Sequence, residues 1–256
     1  LTGTEDTQNI DSIFEWLRQT EKLSPVKPSD ADILSIENEM RKQNDYLLGI
    51  IQDRKTNPRD DIVGELLNAE IDGEPLTDYQ LRNILELFLT AGFHTVTHSL
   101  GMAMILFARQ PEILQQLRKD QSLIPGFIEE LLRFYPSAQS ILRQTTKDVS
   151  FGDTTIPKGE VVLTIVASAN RDECKFATPD SIDPERANVK DHLAFGNGEH
   201  FCPGAGLARA EARIALQLVL EHLDDIRLAP GNDFPYGDSF VLRGLTSLKV
   251  TARPKN

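Results

Sequence analysis

Three features of the sequence predict a mainly α-helical fold with a small β part, held as one domain over residues 1–256. Apolar residues at helical spacing mark one helix after another from Ile13 to Phe134. Leu87 to Ala108 then runs for 22 residues without Asp, Glu, Lys or Arg, the mark of a long helix with little surface. Between Ser140 and Val166, β-branched runs alternate with Gly152-Asp153 and Pro157-Lys158-Gly159 turns, as short strands do.

The elements follow in chain order. Ile13, Phe14, Trp16 and Leu17 outline a first helix, which the stretch from Ser24-Pro25 to Pro28-Ser29 ends. Asp30 to about Arg54 carries Ile33, Leu34, Ile36, Leu47, Leu48, Ile50 and Ile51 as a second, broken by Asn57-Pro58. Asp61 to Ala69 reads as a short third. Thr77 and Gln80 have capping-box spacing, which opens the long apolar helix that runs to about Arg109. Pro111 to Lys119 and Gly126 to Phe134 are two more helices. After the strands comes a coil punctuated by Gly and Pro, then a helix from about Gly206 to His222. A strand near Thr246 to Ala252 comes last.

Composition narrows the class. Apolar residues are 40% and charged residues 26% of the chain, as in an ordinary globular protein. The charge sum, 27 minus 39, is −12. That balance argues against nucleic acid or an anionic membrane as the main partner. Cys174 and Cys202 are too few for a disulfide framework, so a reducing, cytoplasmic setting is expected. LTGTEDTQNI, from Leu1 to Ile10, is polar and acidic, unlike a signal peptide. Leu87 to Ala108 is long enough to cross a bilayer, but Thr90, His94, Thr95, Thr97, His98 and Ser99 fall inside it. A long helix buried in a soluble core is the expected reading.

The chemistry concentrates at Phe195 to Gly204, FGNGEHFCPG. Glycines permit turns that other residues resist, and a helix is expected to start just beyond them. Free N–H groups and a positive dipole at a helix start stabilise a thiolate, the form of cysteine that binds metal. A zinc site needs more partners, and no CxxC or matching His pair lies nearby. A lone thiolate on a stiff loop suits a haem iron, which takes one or two protein ligands.

The pattern F-G-x-G-x-H-x-C-x-G resembles the haem-ligand signature of the cytochrome P-450 family. The resemblance implies the C-terminal portion of the cytochrome P-450 fold, with a long central helix over a haem b (iron protoporphyrin IX). It makes Cys202 the proximal metal ligand. Gly196, Gly198 and Gly204 would shape the loop, Phe195 would pack on the thiolate side, and His200 would contact a propionate. Gly206 to Leu216 is similar to the helix behind the haem, and Pro203 stands where many soluble members have Leu.

Further stretches resemble the family in the same order along the chain. Glu130 and Arg133 form an E-x-x-R 72 residues before Cys202, on one helix face. With Arg186 of Asp183-Pro184-Glu185-Arg186 they would make a structural Glu-Arg-Arg network. Ala169-Asn170-Arg171-Asp172 and the terminal Phe240 to Leu245 resemble family segments. Arg143, seven residues after Pro136, matches a propionate-binding arginine. Ala91-Gly92-Phe93-His94-Thr95 is similar to the oxygen-activating stretch of the long helix. Gly92 would leave room for dioxygen, Ala91 would contact the cofactor, and Thr95 would help deliver protons. His94 departs from the acid expected there, and stands either as a proton relay near neutral pH or as a solvated or core-satisfied histidine. His94 and His98 share the spacing of a zinc H-E-x-x-H helix, but Thr95 replaces the required Glu.

The implied function is haem-dependent monooxygenation of a small organic substrate with O2. The acidic sequence resembles bacterial members fed electrons by a ferredoxin and its reductase, with Arg209 and Arg213 as candidate docking cations. His94 and the chain's shortness keep open a haem-binding relative without monooxygenase activity, whether remnant, peroxide-driven or isomerase-like. Phe93, Thr97, Ile141 and Val241 are the candidate pocket residues. Because no Met opens the chain and Leu1-Thr2-Gly3-Thr4-Glu5-Asp6 resembles an internal family stretch, Leu1 is expected not to be the natural start. The strands near Ser140 to Val166 would then have an open edge.

Overall fold

The computed structural model describes residues 10–21, 29–237, 239 and 241–255. The chain divides into two compact units, Leu1–Phe93 and His94–Asn256.

In the first unit, α1 (Ile10–Glu21) is followed by α2 (Asp30–Thr56) and α3 (Ile62–Leu67). Ser29 caps α2 in a reciprocal box with Asp32, and Asn57 ends it ahead of Pro58. Asp61 caps α3 through the Gly64 N–H, 2.9 Å away, and also accepts a 2.6 Å bond from Nε of buried Arg54. One aspartate thus caps α3 and ties it to α2. Leu47, Ile51, Val63, Leu81 and Leu85 make the core of this unit. The strands β1 (Glu70–Ile71) and β2 (Glu74–Pro75) form a hairpin absent from the expectations above. Its signal was present: Asp72 and Gly73 both take positive φ, 55° and 83°, the two-residue turn that Asp-Gly favours.

The long helix α4 (Asp78–Arg109) opens on the Thr77–Gln80 box, where Thr77 N–H donates to Gln80 Oε1 at 2.9 Å. Among the described residues it is the one helix long and apolar enough to cross a membrane by length and composition. Burial along its length was expected, and the helix departs from this. Met102, Ala103, Ile105, Leu106 and Phe107 are buried, whereas Leu87, Phe88, Ala91 and Gly92 are exposed. A charge-free stretch reports only that no ion is placed there; it does not report which neighbours cover it.

In the second unit, α5 (Pro111–Lys119) and α6 (Ile124–Phe134) follow. The α6 helix begins two residues before the expected Gly126, because Pro125 suits the first turn. Phe107 of α4 stacks on Phe127 of α6 with centroids 5.5 Å apart. Leu131, Ala212, Leu216 and Leu220 complete the main core, the last three from α8 (Ala205–His222). The strands β3 (Ile141–Gln144) and β6 (Val161–Thr164) pair antiparallel around the hairpin of β4 (Val149–Phe151) and β5 (Thr154–Ile156). Leu142, Val161 and Leu163 of this pair are exposed. A short α7 (Val166–Ala169) leads into the coil. After α8 the chain passes straight into β7 (Leu223–Leu228), which pairs with β8 (Val250–Pro254). The last strand lies a few residues beyond the expected Thr246–Ala252, and β7 was not anticipated. No Gly or Pro separates α8 from β7, so nothing local marks the change. The expected terminal hairpin is present through the Tyr236–Leu245 bridge, and Leu242 also bridges to Ala138; Phe240 lies outside the described residues.

Candidate functional site

The cysteine loop is a sequence of tight turns that ends at a helix start. Gly196 and Gly198 take φ of 73° and 75°, which only glycine adopts without strain. A 3-10 turn over Gly198–His200 follows. The Cys202 N–H donates back to the Phe195 carbonyl at 2.9 Å, closing the loop on itself. The Cys202 carbonyl accepts from Ala205 N–H at 3.2 Å, the first bond of the turn that becomes α8. Cys202 is half-buried, whereas Cys174 is exposed. Gly196 also lies against Ile141 of β3, 3.9 Å from where a Cβ would stand. At Gly204 a Cβ would stand 3.9 Å from the Cys202 sulfur.

Two buried carboxylates hold the segment leading into this loop. Glu130 is fully enclosed. Arg133 binds it through Nε at 2.5 Å and Nη2 at 3.0 Å, Arg186 Nε donates at 2.9 Å, and Asp183 N–H at 2.8 Å. Arg133, itself fully buried, also donates to the carbonyls of Asn170, Pro179 and Ser181 at 2.8–3.0 Å. Burial alone would raise the Glu130 carboxyl, but the bonds from Arg133, Asp183 and Arg186 and the Arg133 charge outweigh it and hold it below the usual range. Asn170 extends the network, because its Oδ1 accepts from Leu193 N–H at 2.7 Å, just ahead of the cysteine loop.

Glu129 makes the second network, which the sequence reading missed. Its oxygens accept from Arg209 Nε at 2.6 Å and Nη2 at 2.9 Å, and from His192 Nε2 at 3.0 Å. His192 Nδ1 accepts from Ala194 N–H at 3.2 Å, so the ring proton belongs on Nε2. Burial works to raise the Glu129 carboxyl, but the bonds from His192 and Arg209 and the Arg209 charge push it down to about 2. The Arg209 guanidinium lies over the Phe195 ring, 4.6 Å from its centroid. The faint signal in the sequence was a doubled acid, Glu129-Glu130, inside a helix that is apolar elsewhere except at Arg133.

The α4 residues singled out by sequence fall into three settings. Ala91 and Gly92 are exposed, and a Cβ at Gly92 would meet nothing within 4 Å. Thr95 is half-buried, and its carbonyl accepts from Ser99 Oγ at 3.0 Å. His94 is 7% exposed, which fits an enclosed histidine rather than a solvated one, with its ring 6.0 Å from that of His98. His98 Nδ1 lies 3.1 Å from Ser137 Oγ. Its ring packs so closely on Gly244 that a Cβ there would fall 1.9 Å from it. Burial, and then the neighbouring charge of His94, depress the His98 pKa. Arg143 is exposed on β3, with Nη1 donating to the Leu142 carbonyl at 2.9 Å, and His200 is exposed in its 3-10 turn. Arg213 is exposed on α8, whereas the Arg209 side chain is 36% exposed and engaged by Glu129.

The donor set fits a haem. Among the described residues no group of three His, Cys, Asp or Glu could hold a metal ion. What is present is one half-buried thiol on a rigid loop, suited to a cofactor whose iron takes a single cysteine.

Known proteins point the same way. The family model for cytochrome P-450 matches residues 5–242. Cytochrome P-450 107B1 of Saccharopolyspora erythraea is 37% identical over 253 residues, covering 98% of this chain and 60% of that protein. Cyclomarin C epoxidase CymV of Salinispora arenicola is 38% identical over 209 residues, 82% of this chain and 52% of its own length. The solved structure of cytochrome P-450 CYP109Q5 from Chondromyces apiculatus matches with a TM-score of 0.86 at 35% identity, over 98% of this chain and 61% of that one. This chain thus spans between about half and three-fifths of the length of these relatives. With a fold shared almost end to end and a cysteine loop in the family's pattern, the chain belongs to the cytochrome P-450 family.

Proposed function

We propose that this chain is the haem-binding part of a monooxygenase that inserts one atom of O2 into a small organic substrate. The observation that carries the reading is the setting of Cys202: a lone, half-buried thiol, closed by a bond to the Phe195 carbonyl and followed at once by α8. When bound, haem b supplies dioxygen binding and reductive activation at its iron, favoured by electron donation from a thiolate.

The chain's own groups take the following roles. Cys202 Sγ is the ligand. Phe195, Gly196 and Gly204 shape and cover its side of the cofactor. His200 and Arg143, both exposed, are the contacts for the propionates. Thr95 and the enclosed His94 hold and move protons on α4. Ala91 and Gly92 keep that helix surface low, and the open space beside Gly92 supports this role. Glu130, Arg133 and Arg186 hold the coil that precedes the loop. Residues 1–256 belong to one haem domain.

Electrons come from a ferredoxin and its reductase, with Arg213 as the more accessible docking cation. The acidic chain works in the cytoplasm, with neither nucleic acid nor membrane as its main partner. Cyclomarin C epoxidase, by its name, oxygenates an organic molecule, which supports an oxygenation here without naming its substrate.

The test is the ferrous–CO spectrum of the purified protein, followed by NAD(P)H-dependent product formation with redox partners. The red-shifted Soret band of thiolate ligation is expected in wild type and in Cys174→Ser, and lost in Cys202→Ser. Loss in Cys174→Ser with retention in Cys202→Ser would overturn the assignment.

A further inference from the structure

We propose that Glu129 and Arg209 form a positioning pair that sets the charge felt by the Cys202 thiolate, and through it the readiness of a bound haem to accept an electron. The inference rests on the haem-thiolate reading above and adds to it two residues that touch neither iron nor substrate.

The geometry is a cation gripped by a buried anion and laid against the cysteine loop. Glu129 is 5% exposed and grips Arg209 with both oxygens, at 2.6 and 2.9 Å. His192 fills the remaining acceptor site of Glu129 Oε2 at 3.0 Å, and is itself fixed by Ala194 N–H. The other face of the Arg209 guanidinium covers Phe195, whose carbonyl holds the Cys202 N–H. Arg209 is the fifth residue of α8, seven positions beyond Cys202. Its proton is held first by the bond to Glu129, against burial, and then by the charges of Glu129 and of a Cys202 thiolate. The cysteine loop therefore lies against a guanidinium already partly neutralised by Glu129.

Adding one electron to a ferric haem-thiolate lowers its net charge by one. A stronger positive charge nearby favours that step and a negative one opposes it. Glu129→Gln removes the rear anion and leaves Arg209 at full strength. Arg209→Gln removes the cation and leaves a buried carboxylate facing the loop. The two changes must shift the haem midpoint potential in opposite directions, upward for the first and downward for the second. Slackening of the loop, the effect of a merely structural pair, would move both the same way. Arg209→Lys keeps the charge and gives up the bidentate grip, so it should restore a potential near that of wild type.

The experiment is a spectroelectrochemical titration of the haem-loaded full chain and these three variants, with the ferrous–CO band recorded beside each. Opposite shifts in Glu129→Gln and Arg209→Gln, with Arg209→Lys near wild type, are expected. Shifts of one sign, or none, with the thiolate band intact, would overturn the inference alone. If Arg209→Gln does not fold, an upward shift in Glu129→Gln beside none in Arg209→Lys supports the pair, and any other result overturns it. Absence of the thiolate band in wild type would instead sink the haem-thiolate reading itself.

Discussion

Side by side on α6, Glu129 and Glu130 address two different enclosures. Successive helix positions turn by roughly 100°, so neighbouring acids face different partners. Glu130 meets two arginines whose remaining N–H groups are largely taken up by the carbonyls of residues 170–181. Glu129 meets a histidine and an arginine at the foot of the cysteine loop, and that arginine is 36% exposed. The contrast shows how a buried ion's surroundings decide its job. Where every group is enclosed and bonded, removing one strands the others, so the ions hold the fold. Where one member reaches the surface, water can compensate for part of a loss, and the charge is available to act on a neighbour.

The largest effect should come from opening the closed network. Arg133→Ala leaves Glu130 ionised, buried and short of two bonds, and should destabilise the protein by about 3–5 kcal/mol. A denaturant midpoint no different from wild type would show that the enclosure of Glu130 does not carry the fold.

A backbone test of the same network comes next. Gly126 lies where α6 meets the coil, and a Cβ there would fall 1.9 Å from the Pro184 carbonyl oxygen. Gly126→Ala must push Pro184 away, and with it the Asp183 N–H that bonds Glu130. The cost should be about 1–3 kcal/mol, the range for overpacking. A smaller loss than in Arg133→Ala is expected. Thermal melts of the two variants would rank them, and the reverse order would break the argument.

A third test separates the two acids by pH. The Glu129 carboxyl is depressed from its usual 4.5 to about 2 in the folded chain. A depressed carboxylate adds stability that is fully present above the unfolded value and is lost as pH falls through the folded one. Stability should therefore drop as pH falls from about 4.5 to about 2. Glu129→Gln should flatten part of that drop and leave the part due to Glu130, whose carboxyl is also lowered. Urea midpoints across this range would show it, and equal acid losses in both proteins would remove Glu129 from the account.

The caps and turns were legible in the residues because their partners lie within a few positions. Ser29 with Asp32, Thr77 with Gln80, and the glycines around Cys202 are local devices, and each element they bound appears where expected. The Glu130 triad was legible only through its likeness to a family pattern, since nothing local ties Arg186 to a helix that ends at Phe134. The Asp72-Gly73 hairpin was legible and passed over, and β7 carried no local mark.

What the chain alone determined is thus the order and type of most elements, the left-handed turns of the cysteine loop, and the single thiol they present. Each depends on backbone preferences that act over one or two turns. Tertiary structure alone decided that Glu129 would meet His192 and Arg209, 63 and 80 residues away. It also decided that Gly244 would press on His98, and that Leu87 to Gly92 would stay exposed while Met102 to Phe107 were covered. Helical spacing marks which residues share a face. What lies opposite that face is settled only when distant elements pack, because burial and ion pairing depend on neighbours that local geometry does not specify.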